Sequence, residues 1–141
     1  MILLDTSVLV ALVDERDRLH ALAKRELKRL EKSELGVTSA VLAECLFLLP
    51  AVYLRRRLSF LLERVGAVAV HLEFPWWTEV FSWLDEYAEH EPDFADAELV
   101  VLSGRDPSHT VWTYDREFRD VWRRPDGSKI PLLGSTRRRA D

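Results

Sequence analysis

Four acidic residues stand alone among apolar neighbours at four separated points of this chain. Asp5 ends the run Met1-Ile2-Leu3-Leu4, and Asp115 ends Val111-Trp112-Thr113-Tyr114. Glu44 interrupts the apolar stretch from Ala40 to Leu49, and Asp96 sits in Phe94-Ala95-Asp96-Ala97, just ahead of Leu99-Val100-Val101-Leu102. Burying an ionised carboxylate without a partner costs several kcal/mol. No basic residue lies close in sequence to Asp5, Glu44 or Asp96. Convergence of all four on one divalent cation is the simplest compensation.

Each acid also has a plainer reading. Asp5 can cap the helix that follows it. Asp93 and Asp96 have the spacing of a capping box, and acids suit a helix N-terminus, so capping competes with ligation for Asp93. Asp115 can cap the turn Arg116-Glu117-Phe118 or pair with Arg116. Glu44 is too deep in its predicted helix to cap, and its neighbours three and four residues away are Val41, Ala40, Phe47 and Leu48.

The elements that would position these acids follow from periodicity and punctuation. Residues 1–5 read as a short buried strand, with Thr6 or Ser7 capping a brief helix to Val13. Asp17 can cap a second helix, in which Leu19, Leu22, Ala23, Leu27 and Leu30 recur at helical spacing opposite Lys24, Arg25, Lys28 and Lys32. A strand at 35–38 leads into a largely buried helix that stops at Pro50. Residues 53–65 form a helix with Tyr53, Leu54, Leu58, Leu61, Leu62 and Val65 on its apolar side. A strand at 67–72 is followed by a helix from Pro75 to about Tyr87 and another from Asp93 to Ser103, ended at Gly104. Strands at 110–114 and 129–132 complete the series. Strands alternating with helices imply a parallel sheet covered on both faces. Ligands of such sheets bind beyond the carboxyl ends of the strands, the edge that all four acids can face.

Composition bounds the function. A chain of 141 residues with 48% hydrophobic and 31% charged residues fits one soluble domain. The single cysteine, Cys45, excludes an intramolecular disulfide and reads as a small buried hydrophobe. The chain opens on an apolar strand without a basic leader, and no apolar run approaches about 18 residues. No signal peptide or membrane span is expected, and a cytoplasmic location follows by default. The net charge is −4 but unevenly spread: residues 73–98 carry nine acids and no Lys or Arg, whereas residues 116–141 carry eight basic residues against four acids. Trp76, Trp77 and Trp83 make residues 76–83 unusually aromatic; such tryptophans more often serve cores or interfaces than base stacking.

The opening Leu3-Leu4-Asp5-Thr6-Ser7-Val8-Leu9-Val10-Ala11-Leu12 resembles that of the PIN domains, particularly the small VapC-type toxin ribonucleases. Thr38-Ser39-Ala40-Val41-Leu42-Ala43-Glu44 resembles the family's second acidic motif, Asp93-Phe94-Ala95-Asp96-Ala97 its third, and Val111-Trp112-Thr113-Tyr114-Asp115-Arg116-Glu117-Phe118 its fourth. The likeness covers nearly the whole chain, with the motifs in order. It implies a three-layer α/β/α sandwich with a central parallel sheet of four to five strands over residues 1–134, followed by a flexible basic tail at 135–141. It also implies hydrolysis of RNA phosphodiester bonds with Mg²⁺ or Mn²⁺, a small antitoxin partner and a homodimer. Hard cations prefer oxygen donors, so Asp and Glu without converging His or Cys suit Mg²⁺ or Mn²⁺ better than Zn²⁺. Asp5, Glu44 and Asp96 are the expected ligands, Asp115 completes the site or orients the attacking water, and Asp93 is a further candidate. Thr6 and Thr113 are candidates for hydrogen bonds to carboxylates or phosphate. Arg116, Arg119, Arg123 and Arg124 are candidates to hold the RNA backbone. The apolar helices around Leu9–Leu12 and residues 53–65 offer surface for protein partners. An aspartate-nucleophile phosphatase of the haloacid dehalogenase type also opens with a strand and an Asp, but expects a second Asp where this chain has Ser7. A nonenzymatic PIN-like module that binds RNA or protein is the alternative from another class.

Overall fold

The computed structural model describes residues 1–134; the basic tail expected at 135–141 lies outside the described residues. The chain runs β1 (Ile2–Leu4), α1 (Thr6–Val13), α2 (His20–Arg29), β2 (Leu35–Val37), α3 (Ser39–Leu48), α4 (Val52–Arg64), β3 (Val68–Ala69), α5 (Trp77–Glu86), a 3₁₀ turn (Ala88–His90), α6 (Phe94–Ser103), β4 (Thr110–Trp112) and α7 (Glu117–Asp120). The strands form one parallel sheet in the order β3-β2-β1-β4. Right-handed crossovers place the helices of β1→β2→β3 on one face and those of β3→β4 on the other, giving three layers. The direction of strand progression reverses beside β1, so the topological switch point lies between β1 and β4.

Short apolar strands suit a sheet buried on both faces: Leu3, Leu4, Val111 and Trp112 are all buried. Gly36 is required at the centre of β2, where an added Cβ would stand 2.5 Å from Met1 Sδ and 2.6 Å from Val70 Cγ2. Helix α6 packs against α5, α3 and β4, which accounts for the near-complete burial of residues 97–103. Three tryptophans serve the core as expected. Trp83, Trp112 and Trp122 are buried, Trp83 and Trp122 meet edge to face at 5.2 Å, and Trp83 Nε1 donates to the Arg123 carbonyl at 2.8 Å.

Several elements depart from expectation. The strand predicted at 67–72 contracts to the exposed edge pair Val68–Ala69. The fifth strand is a single parallel bridge between Val111 and Leu132. Helix α2 starts at His20, because the Asp17 carboxylate instead accepts Leu19 N–H at 2.9 Å in the preceding turn. Helix α3 is not largely buried. Only Val41 and Cys45 are buried within it, and Leu46, Phe47 and Leu48 are exposed. Tyr53 points outward from α4, whose inner stripe is Leu54 and Leu58. Leu9 and Leu12 belong to the core, so α1 presents no apolar partner surface there. Arg55 ties the α3–α4 corner by donating to the Leu49 carbonyl at 2.8 Å and the Leu46 carbonyl at 3.1 Å. Those carbonyls lack helical partners, so the bonds hold α3's end while its apolar side chains face water.

Candidate active site

Asp5 leaves β1 and Asp115 follows β4, on either side of the switch point. Asp5 is only 4% exposed. Its Oδ2 accepts the Ser7 hydroxyl at 2.7 Å and the Thr113 hydroxyl at 2.7 Å. Each hydroxyl in turn accepts a backbone N–H: Ser7 Oγ from Tyr114 at 3.0 Å, and Thr113 Oγ1 from Asp115 at 2.9 Å. Those amides orient both hydroxyl protons toward Asp5, which therefore acts as an acceptor. Asp5 heads α1 without a capping side-chain bond; its carboxylate is turned to the site instead. Burial raises its pKa above the ordinary range against the opposing pull of the two hydroxyls, and Asp115 raises it further.

Glu44 approaches from the middle of α3 and Asp96 from the first turn of α6. Thr38 caps α3 by accepting Val41 N–H at 3.2 Å. That bond fixes the turn from which Glu44 projects, half-buried. Glu44 is pushed above the ordinary carboxylate range by burial first, then by Asp93 and Asp5, with Asp115 adding to both. Asp96 Oδ2 accepts Asp93 N–H at 3.2 Å in a capping box. Asp96 is nonetheless pushed up to about 8, by burial and then by Asp5, with Asp93 and Asp115 contributing. Asp115 caps the turn into α7, its Oδ1 accepting Glu117 N–H at 3.0 Å. The plainer capping roles of Asp93, Asp96 and Asp115 are thus real, and they coexist with mutual electrostatic reach. Asp5, Glu44, Asp96 and Asp115 are brought into one another's fields, with exposed Asp93 at the rim.

Among the described residues, no Lys, Arg or His is a leading cause of the shifts of Asp5, Glu44 or Asp96. Thr6 Oγ1 is buried without a geometrically sound hydrogen bond among the described residues, yet it stands near enough to Glu44 to favour the ionised carboxylate. Among the described residues, no three His, Cys, Asp or Glu side chains close into a ready-made chelate. Oxygen donors of net negative charge, loosely spaced and partly hydrated, fit Mg²⁺ or Mn²⁺, which retain several waters. They do not fit Zn²⁺, which calls for a tight set of nitrogen and sulfur ligands. Cys45 reinforces this, being buried with its thiol pushed up to about 12.

Of the expected RNA-holding cations, Arg116 is exposed and makes no ion pair among the described residues. The others are engaged locally. Arg119 binds Asp120 at 2.8 Å, Arg123 donates to the Trp122 carbonyl at 2.7 Å, and Arg124 binds Ser103. Ser7 was not among the expected site residues. Its signal is a hydroxyl two residues after Asp5, a spacing equally typical of a helix start.

The raised Asp96 sets a pH dependence. In the unfolded chain a carboxylate titrates near about 4. Between there and about 8 the folded protein keeps a proton on Asp96 that the unfolded chain has released, so stability falls as pH rises through that window. In EDTA, the melting temperature is expected to drop between about pH 5 and pH 8.5. Asp96→Asn should flatten part of the drop, leaving the shares of Asp5 and Glu44. An unchanged slope in the variant would show that Asp96 is not held protonated.

A family model described as PIN domain matches residues 2–123. Among solved structures, the chain is similar to VapC20 of Mycobacterium tuberculosis, described as a Sarcin-Ricin loop cleaving toxin. The TM-score is 0.70 at 23% identity, covering 84% of this chain and 93% of that one. It is also similar to VapBC2 of Rickettsia felis bound to a DNA fragment from their promoter, with TM-score 0.64, 14% identity, and 94% and 98% of the two chains covered. No curated protein matches the sequence.

Proposed function

The chain belongs to the PIN domain family, and from that premise we propose that it is a metal-dependent endoribonuclease acting as the toxin of a type II toxin–antitoxin pair. The observation that carries this reading is the cluster of Asp5, Glu44, Asp96 and Asp115 at the topological switch point, mutually repelling and without a basic partner. Structural likeness to VapC20 and to VapBC2 supports the fold in which such toxins work.

Asp5, Glu44 and Asp96 would hold Mg²⁺ or Mn²⁺, directly or through water, with Asp115 completing the set. The bound ion supplies charge to the phosphate in the transition state and lowers the pKa of a water. Asp5 is pre-oriented for its part, since Ser7 and Thr113 lock its carboxylate from two sides. Asp115, tied to the turn into α7, is placed to accept a proton from the attacking water. The acids repel phosphate on their own, so RNA must be held by cations, of which exposed Arg116 stands next to the site. Incubating the protein with structured RNAs in Mg²⁺, Mn²⁺ or EDTA tests this directly. Cleavage confined to the metal-containing samples is expected. Calorimetry showing no divalent-metal binding would transfer the protein to the nonenzymatic class.

The same reading supplies a use for the exposed α3–α4 corner. Phe47, Leu48, Val52 and Tyr53 are exposed there, with Phe60 further along α4; exposed apolar groups near one another mark interaction sites. In this proposal the corner joins two copies of the chain, with the antitoxin binding the dimer. Phe47 is 86% exposed, so Phe47→Glu should leave the fold intact by circular dichroism, shift sedimentation from dimer to monomer, and remove any dependence of the melting temperature on protein concentration. A variant that still sediments as a dimer would place the interface elsewhere. Among the described residues no helix is long and apolar enough to cross a membrane.

A further inference from the structure

Beside the acid cluster lies a cavity of about 630 Å³ that the proposed chemistry leaves unused. Glu44 and Asp93 line it on the side of the cluster; Val70, His71, Trp76 and Phe94 line it elsewhere. It sits past the carboxyl ends of β2 and β3, so it continues the active-site edge of the sheet away from β4. Glu98 also lines it. This residue is only 8% exposed, in a helix whose other buried residues are nearly all apolar.

The lining decides what fits. Among the described residues no Lys or Arg lines the cavity, so it offers no fixed cation to a phosphate. Two aromatic rings stand at it, Trp76 and Phe94, edge to face with centroids 5.8 Å apart. Phe94 is 37% exposed and Trp76 half-buried, although both are side chains that a core would cover. Flat apolar walls with one buried carboxylate suit a neutral, flat group with adjacent N–H donors. An unpaired guanine presents such a pair, N1–H and N2–H, on its Watson–Crick edge; cytosine and adenine present a lone amino group there, and uracil one N–H between two carbonyls. Single-stranded bases are read in this manner, by aromatic stacking and by hydrogen bonds to that edge.

We propose that this cavity is a nucleobase pocket that takes one unpaired guanine of the RNA substrate, stacked on the face of Trp76 with the Phe94 ring against its edge, and with N1–H and N2–H donating to the Glu98 carboxylate. The inference rests on the ribonuclease reading for the nature of the ligand, and it makes the site selective as well as reactive. The phosphate beside the captured base then lies toward Glu44 and Asp96, over the switch point.

Binding in EDTA separates the pocket from the chemistry. The probes are fluorescently labelled five-nucleotide RNAs of uridine with one central guanosine, inosine, adenosine, cytidine or uridine, followed by anisotropy at low salt. The guanosine probe is expected to bind about tenfold more tightly than the inosine probe, which lacks the N2 amino group. Glu98→Gln should bring the two within about twofold, and Trp76→Leu should weaken all five probes by about five- to tenfold. Glu98 is buried, so Glu98→Gln is read only with an unchanged melting temperature. Exposed Ala43, which also lines the cavity, provides a second variant: Ala43→Trp fills the mouth and should abolish the guanosine preference without touching the core. Equal binding of the guanosine and inosine probes by the unaltered protein overturns the proposal, as does a guanosine preference that survives Ala43→Trp. Guanosine-selective binding without cleavage in Mg²⁺ or Mn²⁺ would keep the pocket and remove the nuclease. Cleavage without base preference would do the reverse.

Discussion

Replacing Asp96 by asparagine is expected to abolish metal-dependent RNA cleavage while RNA affinity at low salt stays within about twofold. Loss of a group that merely orients a metal ligand costs about 10–100-fold, so removing a proposed ligand should cost at least about 100-fold. Phosphate contacts come from basic side chains, and a carboxylate contributes none, which is why affinity should hold. The fold should survive, because the asparagine Oδ1 can still accept Asp93 N–H in place of the carboxylate. Asp93→Asn is the control. Asp93 is exposed, and asparagine is nearly as good a cap as aspartate. It should lose far less activity, only what its field on Glu44 and Asp96 supplies. Equal, severe losses in both variants would make Asp93 a ligand. Full activity in Asp96→Asn would sink the mechanism.

Glu44→Gln should also remove cleavage, and in EDTA it should raise the melting temperature. Glu44 sits half-buried in the fields of Asp93, Asp5 and Asp115, all of which oppose its charge, and only Thr6 favours it. Relieving like-charge repulsion and burial together should stabilise the metal-free protein, by less than about 1 kcal/mol once solvent screening at a half-buried site is counted, or a few °C at most. Saturating Mg²⁺ should reverse the order, since the ion stabilises only the protein that binds it. A Glu44→Gln protein that unfolds in EDTA would show the carboxylate to be a structural acceptor.

The acids were legible because charge inside an apolar run is costly wherever it occurs, and that cost is visible without a fold. Parallel topology was legible from the alternation of elements. What the hydrophobic pattern cannot convey is whether an apolar face has a neighbour. Leu9 and Phe47 look alike in sequence; one is in the core and the other in water. Strand length was overestimated at β3, because apolar residues past an edge strand need not pair. Ser7 went unnoticed because hydroxyls after an aspartate are also ordinary helix starters. Glu98 is the more instructive omission, since a lone Glu among Ala95, Ala97, Leu99 and Val100 meets the same criterion that singled out Glu44. Long-range pairings were out of reach altogether, such as Glu26 Oε2 accepting Trp112 Nε1 at 3.1 Å and the Tyr114 hydroxyl at 2.5 Å.

The Thr113–Asp5 bond joins residues 108 positions apart. β1 leaves the ribosome well before β4, the strand it pairs with. Contacts of such separation close late in folding, because the loop entropy must be met before they form. A nascent chain released or stalled before Thr110 therefore carries Asp5, Glu44 and Asp96 without β4 beside β1 and without Asp115. On the reading offered here, synthesis carries its own delay: the cutting edge can close only after β4 has followed β1 out of the ribosome.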